Sequence, residues 1–370
     1  MQRVGNIVPA LIMEPITTLL LKRKDVANLL TIEECIAAVE SAFKLHAEGK
    51  AMHPKVLGIH VDEGGFHIKA GVLGLSRTYF VAKANANFPG NPKKYGLPTI
   101  QGVIVVCDGS NGRLLALMDS IEITIMRTGA ATAVAAKYLA PVDAKTVTIC
   151  GCGNQGRISL KALMKVRSLE KVYAFDIDEV QIQKFTKDFA RELEVIPTAG
   201  NELRMALRQS QICVTCTPSR QPFIHAEDIM PGTFIAAVGA DSEEKQELYP
   251  DVFLKSKIVV DLLEQSANIG ELHHALQQGQ ITLAAVHAEL GLIIAHKKPG
   301  RESGEEIIVF DSTGTALQDV AAAAIVYEKA LTSGIGMKMD FAEEGNSDQN
   351  SQALKNQRDI SALSSFFPFR

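Results

Sequence analysis

Residues 145–156, Lys-Thr-Val-Thr-Ile-Cys-Gly-Cys-Gly-Asn-Gln-Gly, constrain this chain more than any other stretch. The β-branched run Val147-Thr148-Ile149 leads directly into Gly151-x-Gly153-x-x-Gly156. A helical pattern follows, with apolar residues at Ile158, Leu160, Leu163, Met164 and Val166. A second apolar run, Lys171 to Phe175, then ends on Asp176. Strand, tight turn, helix, strand and acid, in that order, match what a bound dinucleotide requires. Gly151 permits the sharp turn. Gly153 lets the backbone approach a pyrophosphate. Gly156 lets the helix pack close to the strand. Asn154 and Gln155 open the helix, whose free N–H groups and partial positive charge suit the phosphates. Asp176 is placed to accept hydrogen bonds from the adenosine ribose and to repel a 2′-phosphate. The expected cofactor is therefore NAD rather than NADP.

The pattern around this unit extends the argument to a whole domain. Strands are expected at 146–150, 171–175, 211–215, 233–238, 257–261 and 306–310, separated by helical stretches. Such alternation predicts a doubly wound parallel sheet, spanning residues 131–314. The preceding part reads differently. Thr31-Ile-Glu-Glu34 is a capping box opening a helix through Ile36, Val39, Phe43 and Leu45, stopped by Gly49. Strands are expected at 55–60, 66–70, 79–83, 100–107 and 113–118, with a glycine- and proline-rich loop from Asn87 to Pro98. Asp119 is expected to cap a helix running through Arg127. Residues 18–130, joined by a last helix within 315–337, form an expected second, α+β domain. Residues 1–17 read as a loose extension and 338–370 as a polar, flexible tail.

Composition excludes several classes of function. The 370 residues carry a net charge of −4 with 46% hydrophobic and 22% charged residues. No basic excess suggests nucleic acid, and no apolar run is long enough to span a bilayer. The Cys213-x-x-Cys216 spacing lies in an apolar strand with no second ligand pair, so the six cysteines read as reduced thiols and no metal is expected. Reduced thiols place the chain in the cytoplasm.

The candidates for chemistry fall in two groups. Lys55, Lys69, Lys83 and Arg127 concentrate positive charge near the Asn87–Pro98 loop. Lys83 ends an apolar strand, where a solvated role is unnatural. Arg127 sits mid-helix among apolar and small residues, as an internal ion pair or as a fork for a carboxylate. The second group follows predicted strands, whose carboxyl ends face the ligand crevice in such sheets. Val238-Gly239-Ala240-Asp241 brings three cofactor-contact candidates and a carboxylate able to act as general acid/base or as a simple cap. Thr217 and Ser219, and Ser312 after the last strand, hold equivalent positions.

These segments together resemble the ornithine cyclodeaminase/μ-crystallin family. The resemblance runs from Leu20 to Met337, through Phe88-Pro-Gly-Asn-Pro, Gly96-Leu-Pro-Thr-Ile-Gln-Gly102, Met126-Arg-Thr-Gly-Ala130, Ala135-Ala-Lys-Tyr-Leu139, Gly239-Ala-Asp241, Lys245-Gln-Glu-Leu248 and Asp311-Ser-Thr-Gly314. It implies a homodimer, with a Rossmann domain inserted into a substrate and dimerisation domain. It also implies roles: Lys83 at the reacting carbon, Arg127 and Lys55 on the α-carboxylate, and Asp241 as the catalytic acid/base. Thr99, Asn154, Gln155, Asp176, Thr217, Gly239 and Lys245 match cofactor contacts, and Arg127 is counted with them. Cyclodeaminases resembling this chain carry glutamate where it has His67, and methionine-proline at Lys69-Ala70. The stretch from Gly239 is closer to the alanine dehydrogenase variant. His67 and Lys69 would add donors and positive charge, or point away from the pocket. The expectation is NAD-dependent hydride transfer at the α-carbon of an amino, imino or 2-oxo acid. The alternatives are a cyclodeaminase that uses NAD catalytically and a binding protein of the μ-crystallin kind.

Overall fold

The structure is a computed structural model that describes residues 17–341. Two sheets organise it. The first takes β1 (Thr18–Leu21), β2 (Lys55–Val61), β3 (Gly64–Gly74), β4 (Thr78–Asn87), β5 (Ile100–Asp108) and β6 (Leu114–Asp119). The second takes β7 (Thr146–Cys150), β8 (Lys171–Phe175), β9 (Glu194–Thr198), β10 (Ile212–Thr215), β11 (Phe234–Ala237), β12 (Ser256–Val260), β13 (Val286–Glu289) and β14 (Ile307–Asp311). A last strand, β15 (Met337–Met339), returns to the first sheet and pairs antiparallel with β1. The expected N-terminal extension and C-terminal tail lie almost wholly outside the described residues, but β15 carries ordered chain past Met337.

The second sheet is parallel throughout, in the order β13-β12-β14-β11-β10-β7-β8-β9. Its interior strands β10 and β11 are buried at every position, as strands covered on both faces must be. In this sheet the sequence pattern missed two strands, β9 and β13, and these are its two edges; in the first sheet it missed β1 and β15. β9 contains Pro197 and β13 contains His287 and Glu289. An edge tolerates proline and charge because one of its sides needs no ladder partner.

The first sheet is a meander from β2 to β6, with antiparallel pairing at each step. Its two faces differ. One packs on the helix Ala316–Ser333: a Cβ built on Gly71 would lie 3.3 Å from Ala316 and 3.5 Å from Val320. The other carries Leu57, Ile59, Phe66 and Val103, which are 53%, 48%, 43% and 39% exposed. Register places all four on this side.

The helix Ile121–Leu139 crosses the boundary expected near residue 130 and is buried along its alanine-rich half. Gly129 makes that packing possible. A Cβ there would sit 2.9 Å from the carbonyl of Ile158 in the helix Asn154–Leu163. The capping box behaves as expected, with Glu34 N donating to Thr31 Oγ1 and Thr31 N donating to Glu34 Oε2. The helix it opens, Ile32–Ala47, ends before Gly49 at φ 72°.

Candidate functional site

The sheet order reverses between β7 and β10, which is where a doubly wound sheet opens its crevice. The glycine turn stands there. Gly151 has φ +106°, and its missing Cβ would lie 3.0 Å from the carbonyl of Cys216 after β10. A Cβ on Gly156 would meet the Gly151 carbonyl at 1.9 Å, so only glycine fits. Around Gly153 nothing lies within 4 Å of that position, which leaves the space a pyrophosphate needs. The helix Asn154–Leu163 starts with no side-chain cap, so its first N–H groups keep no internal side-chain acceptor. Asp176 accepts from Cys152 N at 2.7 Å and from Asp178 N at 3.0 Å. A carboxylate has about four acceptor positions, so capacity remains for ribose hydroxyls. These residues fit a dinucleotide.

The other strand ends supply the rest of the rim. Thr217 N donates to Glu247 Oε1 at 2.6 Å, and Ser219 N donates to the Thr217 hydroxyl at 3.2 Å. Val238 N continues the ladder to Thr215, and Ala240 is buried behind it. Gly239 is pressed against Glu247 Oε2, 2.3 Å from its would-be Cβ. Ser312 donates its hydroxyl to Asp261 Oδ2 at 3.1 Å. Thr99 lies at the foot of β5, its carbonyl accepting from Phe88 N at 2.8 Å. The Gln155 side-chain oxygen is buried with no partner among the described residues.

At the inner end sits a buried charge cluster. Lys69 on β3 and Lys83 on β4 are direct cross-strand partners. Like charges in that position repel, so both need compensation. Lys83 Nζ donates to Asp319 Oδ1 at 2.8 Å, and Arg127 Nε lies 3.4 Å from the same oxygen. Arg127 Nη1 also donates to Gln318 Oε1 at 3.0 Å. Its guanidinium is stacked so closely on the Gly314 backbone that a Cβ there would meet Nη1 at 2.3 Å. Lys69 is directed elsewhere, donating to the carbonyls of Thr313 and Gly314 at 2.9 and 2.7 Å. Burial lowers the pKa of Lys83 to about 7, helped by the charges of Arg127 and Lys69 and opposed by Asp319. Lys69 is lowered by burial and then by Arg127. Asp319 is held low because Lys83 and Arg127 outweigh the cost of its burial. Among the described residues, Asp319 is the one carboxylate paired with any of these cations. The internal ion pair foreseen for Arg127 is present, while Lys69 feels Asp241 and Asp261 as well as Asp319.

A cleft of about 510 Å³ lies outside this cluster, lined by His53, Lys55, His60, His67, Asp241 and Glu264 among others. Of the expected substrate residues, Lys55, His67 and Asp241 stand on its wall, whereas Lys69, Lys83 and Arg127 do not line it. Lys55 pairs in register with Ala70 and therefore sits on the opposite sheet face from Lys69 and Lys83. It is an exposed rim lysine, not a neighbour of the buried cluster. Burial lowers the pKa of His67, with Asp241 opposing, so its ring is neutral near pH 7. Asp241, 49% exposed, accepts from Lys245 Nζ at 2.6 Å. Confinement in the cleft disfavours its charge, but Lys245 and Lys69 outweigh this and hold it well below the usual carboxylate range. His53 pairs with Glu264 at 2.6 Å across the mouth.

Sequence reading missed Asp319, Gln318, Glu247 and Glu264. Asp319 had a usable signal, as the one acid in the first turns of an otherwise apolar helix. Gln318 stands beside it in the same helix, while Glu247 and Glu264 carry no local pattern that marks them.

A family model, the ornithine cyclodeaminase/mu-crystallin family, matches residues 16–334. Alanine dehydrogenase of Archaeoglobus fulgidus is 40% identical over 325 residues, covering 88% of this chain and 98% of that protein. Among solved structures, an archaeal alanine dehydrogenase dimer with bound NAD superposes with a TM-score of 0.84 at 40% identity, over 88% of this chain and 99% of that one. The Δ1-pyrroline-2-carboxylate reductase of Thermococcus litoralis, in complex with NADH and L-proline, gives a TM-score of 0.81 at 36% identity, over 87% and 100% of the two chains.

Proposed function

Because this chain belongs to the ornithine cyclodeaminase/mu-crystallin family, we propose that it is an NAD-dependent oxidoreductase acting at the α-carbon of an amino or imino acid. The observation that carries this reading is the gathering of three buried cationic side chains near the cleft. Lys69, Lys83 and Arg127 are buried with Asp319 as their one paired carboxylate. Buried charges require partners, and an anionic ligand such as an α-carboxylate would hold these cations in their charged form. Arg127 is the residue to hold it, since its planar fork matches a carboxylate. Lys83 uses one of its three donor positions on Asp319 and keeps the others for the substrate nitrogen.

Asp241 supplies the proton chemistry. It is ionised at neutral pH, so it begins as the proton acceptor for an amine or a water. His67 adds a neutral donor beside it. When bound, the nicotinamide exchanges hydride with the substrate carbon. Asp176 selects the cofactor lacking a 2′-phosphate. Asp176→Ser should narrow the preference for NADH over NADPH, and equal affinity of the unmutated protein for both would remove that role. The solved dimer, together with the apolar face carrying Leu57, Ile59, Phe66 and Val103, supports a homodimer formed through that face.

The deciding experiment follows absorbance at 340 nm with NADH, ammonia and a panel of 2-oxo and cyclic imino acids. Net NADH consumption is the expected result. Ammonia release from a diamino acid without net NADH change would point to a cyclodeaminase, and NADH binding without turnover to a ligand carrier.

A further inference from the structure

Four buried carboxyl groups form a continuous chain beneath the strand ends, and the mechanism above uses none of them. Glu247, Glu271, Asp311 and Asp261 are all less than 2% exposed. Glu247 Oε1 accepts from Thr217 N at 2.6 Å. Glu271 accepts from the backbone of Glu247 at 2.7 Å and of Leu248 at 3.0 Å. Asp311 Oδ2 accepts from Leu272 N at 2.9 Å, beside Glu271. Asp261 gathers Ser312, Thr313 and Gly314, whose last two carbonyls hold Lys69. Both strand-end segments expected to touch the cofactor therefore meet at the first link. Glu247 Oε2 has no hydrogen-bond partner and lies against Gly239, while Oε1 holds Thr217.

We propose that Glu247 is a positioning residue for the cofactor, locking Thr217 to the Gly239 turn in its protonated form; this rests on the dinucleotide reading above. Ionisation would put a buried charge on an oxygen whose nearest side-chain donors are neutral hydroxyls, Thr215 and Thr217. Of the groups facing it, the Thr217 backbone and the Thr217 and Thr215 hydroxyls favour the charged form, but Glu271 is another carboxyl, Cys150 and Cys216 are thiols, and Lys245 is already paired with Asp241. Burial pushes Glu247 up to about 7, burial and then Glu247 raise Glu271 as well, and burial with Asp261 pushes Asp311 to about 8. A carboxyl with a raised folded-state pKa lowers stability as pH climbs from its unfolded value to its folded one, and the loss is constant above that.

The test compares the unmutated dimer with Glu247→Gln and Glu247→Ala, reading NADH dissociation by fluorescence and melting temperature from about pH 5 to pH 9. Glutamine keeps the acceptor for Thr217 but cannot ionise. The ratio of dissociation constants, unmutated over Glu247→Gln, should rise roughly tenfold through neutral pH, the effect of one buried charge without a cationic partner. The melting temperature of Glu247→Gln should gain on the unmutated protein up to about pH 7 and then run parallel. Glu247→Ala should bind NADH more weakly at every pH. A pH-independent ratio overturns the proposal even if Glu247→Ala does not fold. If the unmutated protein binds no NADH at any pH, the dinucleotide reading fails instead, and a flat melting difference would then overturn the protonation of Glu247 separately.

Discussion

The inner charge cluster and the outer wall of the cleft carry similar residues in unlike surroundings. At the inner end, Lys83 and Asp319 are 3% and 1% exposed and share a 2.8 Å contact. At the mouth, His53 and Glu264 meet at 2.6 Å but are 42% and 68% exposed. The shorter pair is the weaker one. Water competes for the outer pair, which is an ion pair only when His53 is protonated, and offers each group a substitute partner. The inner charges have no such substitute, so removing one leaves the others stranded. A short ion-pair distance therefore says little about importance until burial is known. Asp241 lies between these limits, half-exposed yet ringed by Lys245, Lys69 and His67.

This contrast can be broken by mutation. The largest effect is expected for Asp319→Ala, which strands Lys83 and Arg127. It should destabilise the protein by about 3–5 kcal/mol and abolish turnover, read by denaturant melts and an NADH assay. Near-native stability would mean that the inner cations find water or one another tolerable. Next comes Asp241→Asn, which preserves shape but cannot exchange a proton. kcat should fall by about 10²–10⁴ while NADH affinity stays constant. Unchanged turnover would remove Asp241 from the proton chemistry and leave its contact with Lys245 as its role. The smallest effect belongs to Glu264→Gln. Stability should move by less than about 1 kcal/mol, and that small effect should shrink further in salt. A loss comparable to Asp319→Ala would show that the mouth closes over the substrate and buries this pair.

Local chemistry was enough for much of this protein. The glycine turn needs three positions without a Cβ at fixed spacing, so Gly151, Gly153 and Gly156 were readable before any fold was known. The alternation of buried strands and helices specified a doubly wound sheet, because strands covered on both faces must be apolar throughout. The capping box at Thr31 and Glu34 is likewise a contact within one turn. Edge strands β9 and β13 escaped because an edge imposes no such demand on composition.

Tertiary structure decided which candidates meet. Lys69 and Lys83 are cross-strand neighbours only because of the β3–β4 register, and the period of two in the same sheet puts Lys55 on the other face. Asp319 lies 236 residues from Lys83, and Gln318 lies 191 from Arg127. The lysine of β4 and the aspartate of the last helix carry no local mark of each other. Sequence patterns record what a residue needs from its own turn or strand. Compensation of a buried charge is a long-range condition, met by whichever element packs against it, and only the packed structure names that element.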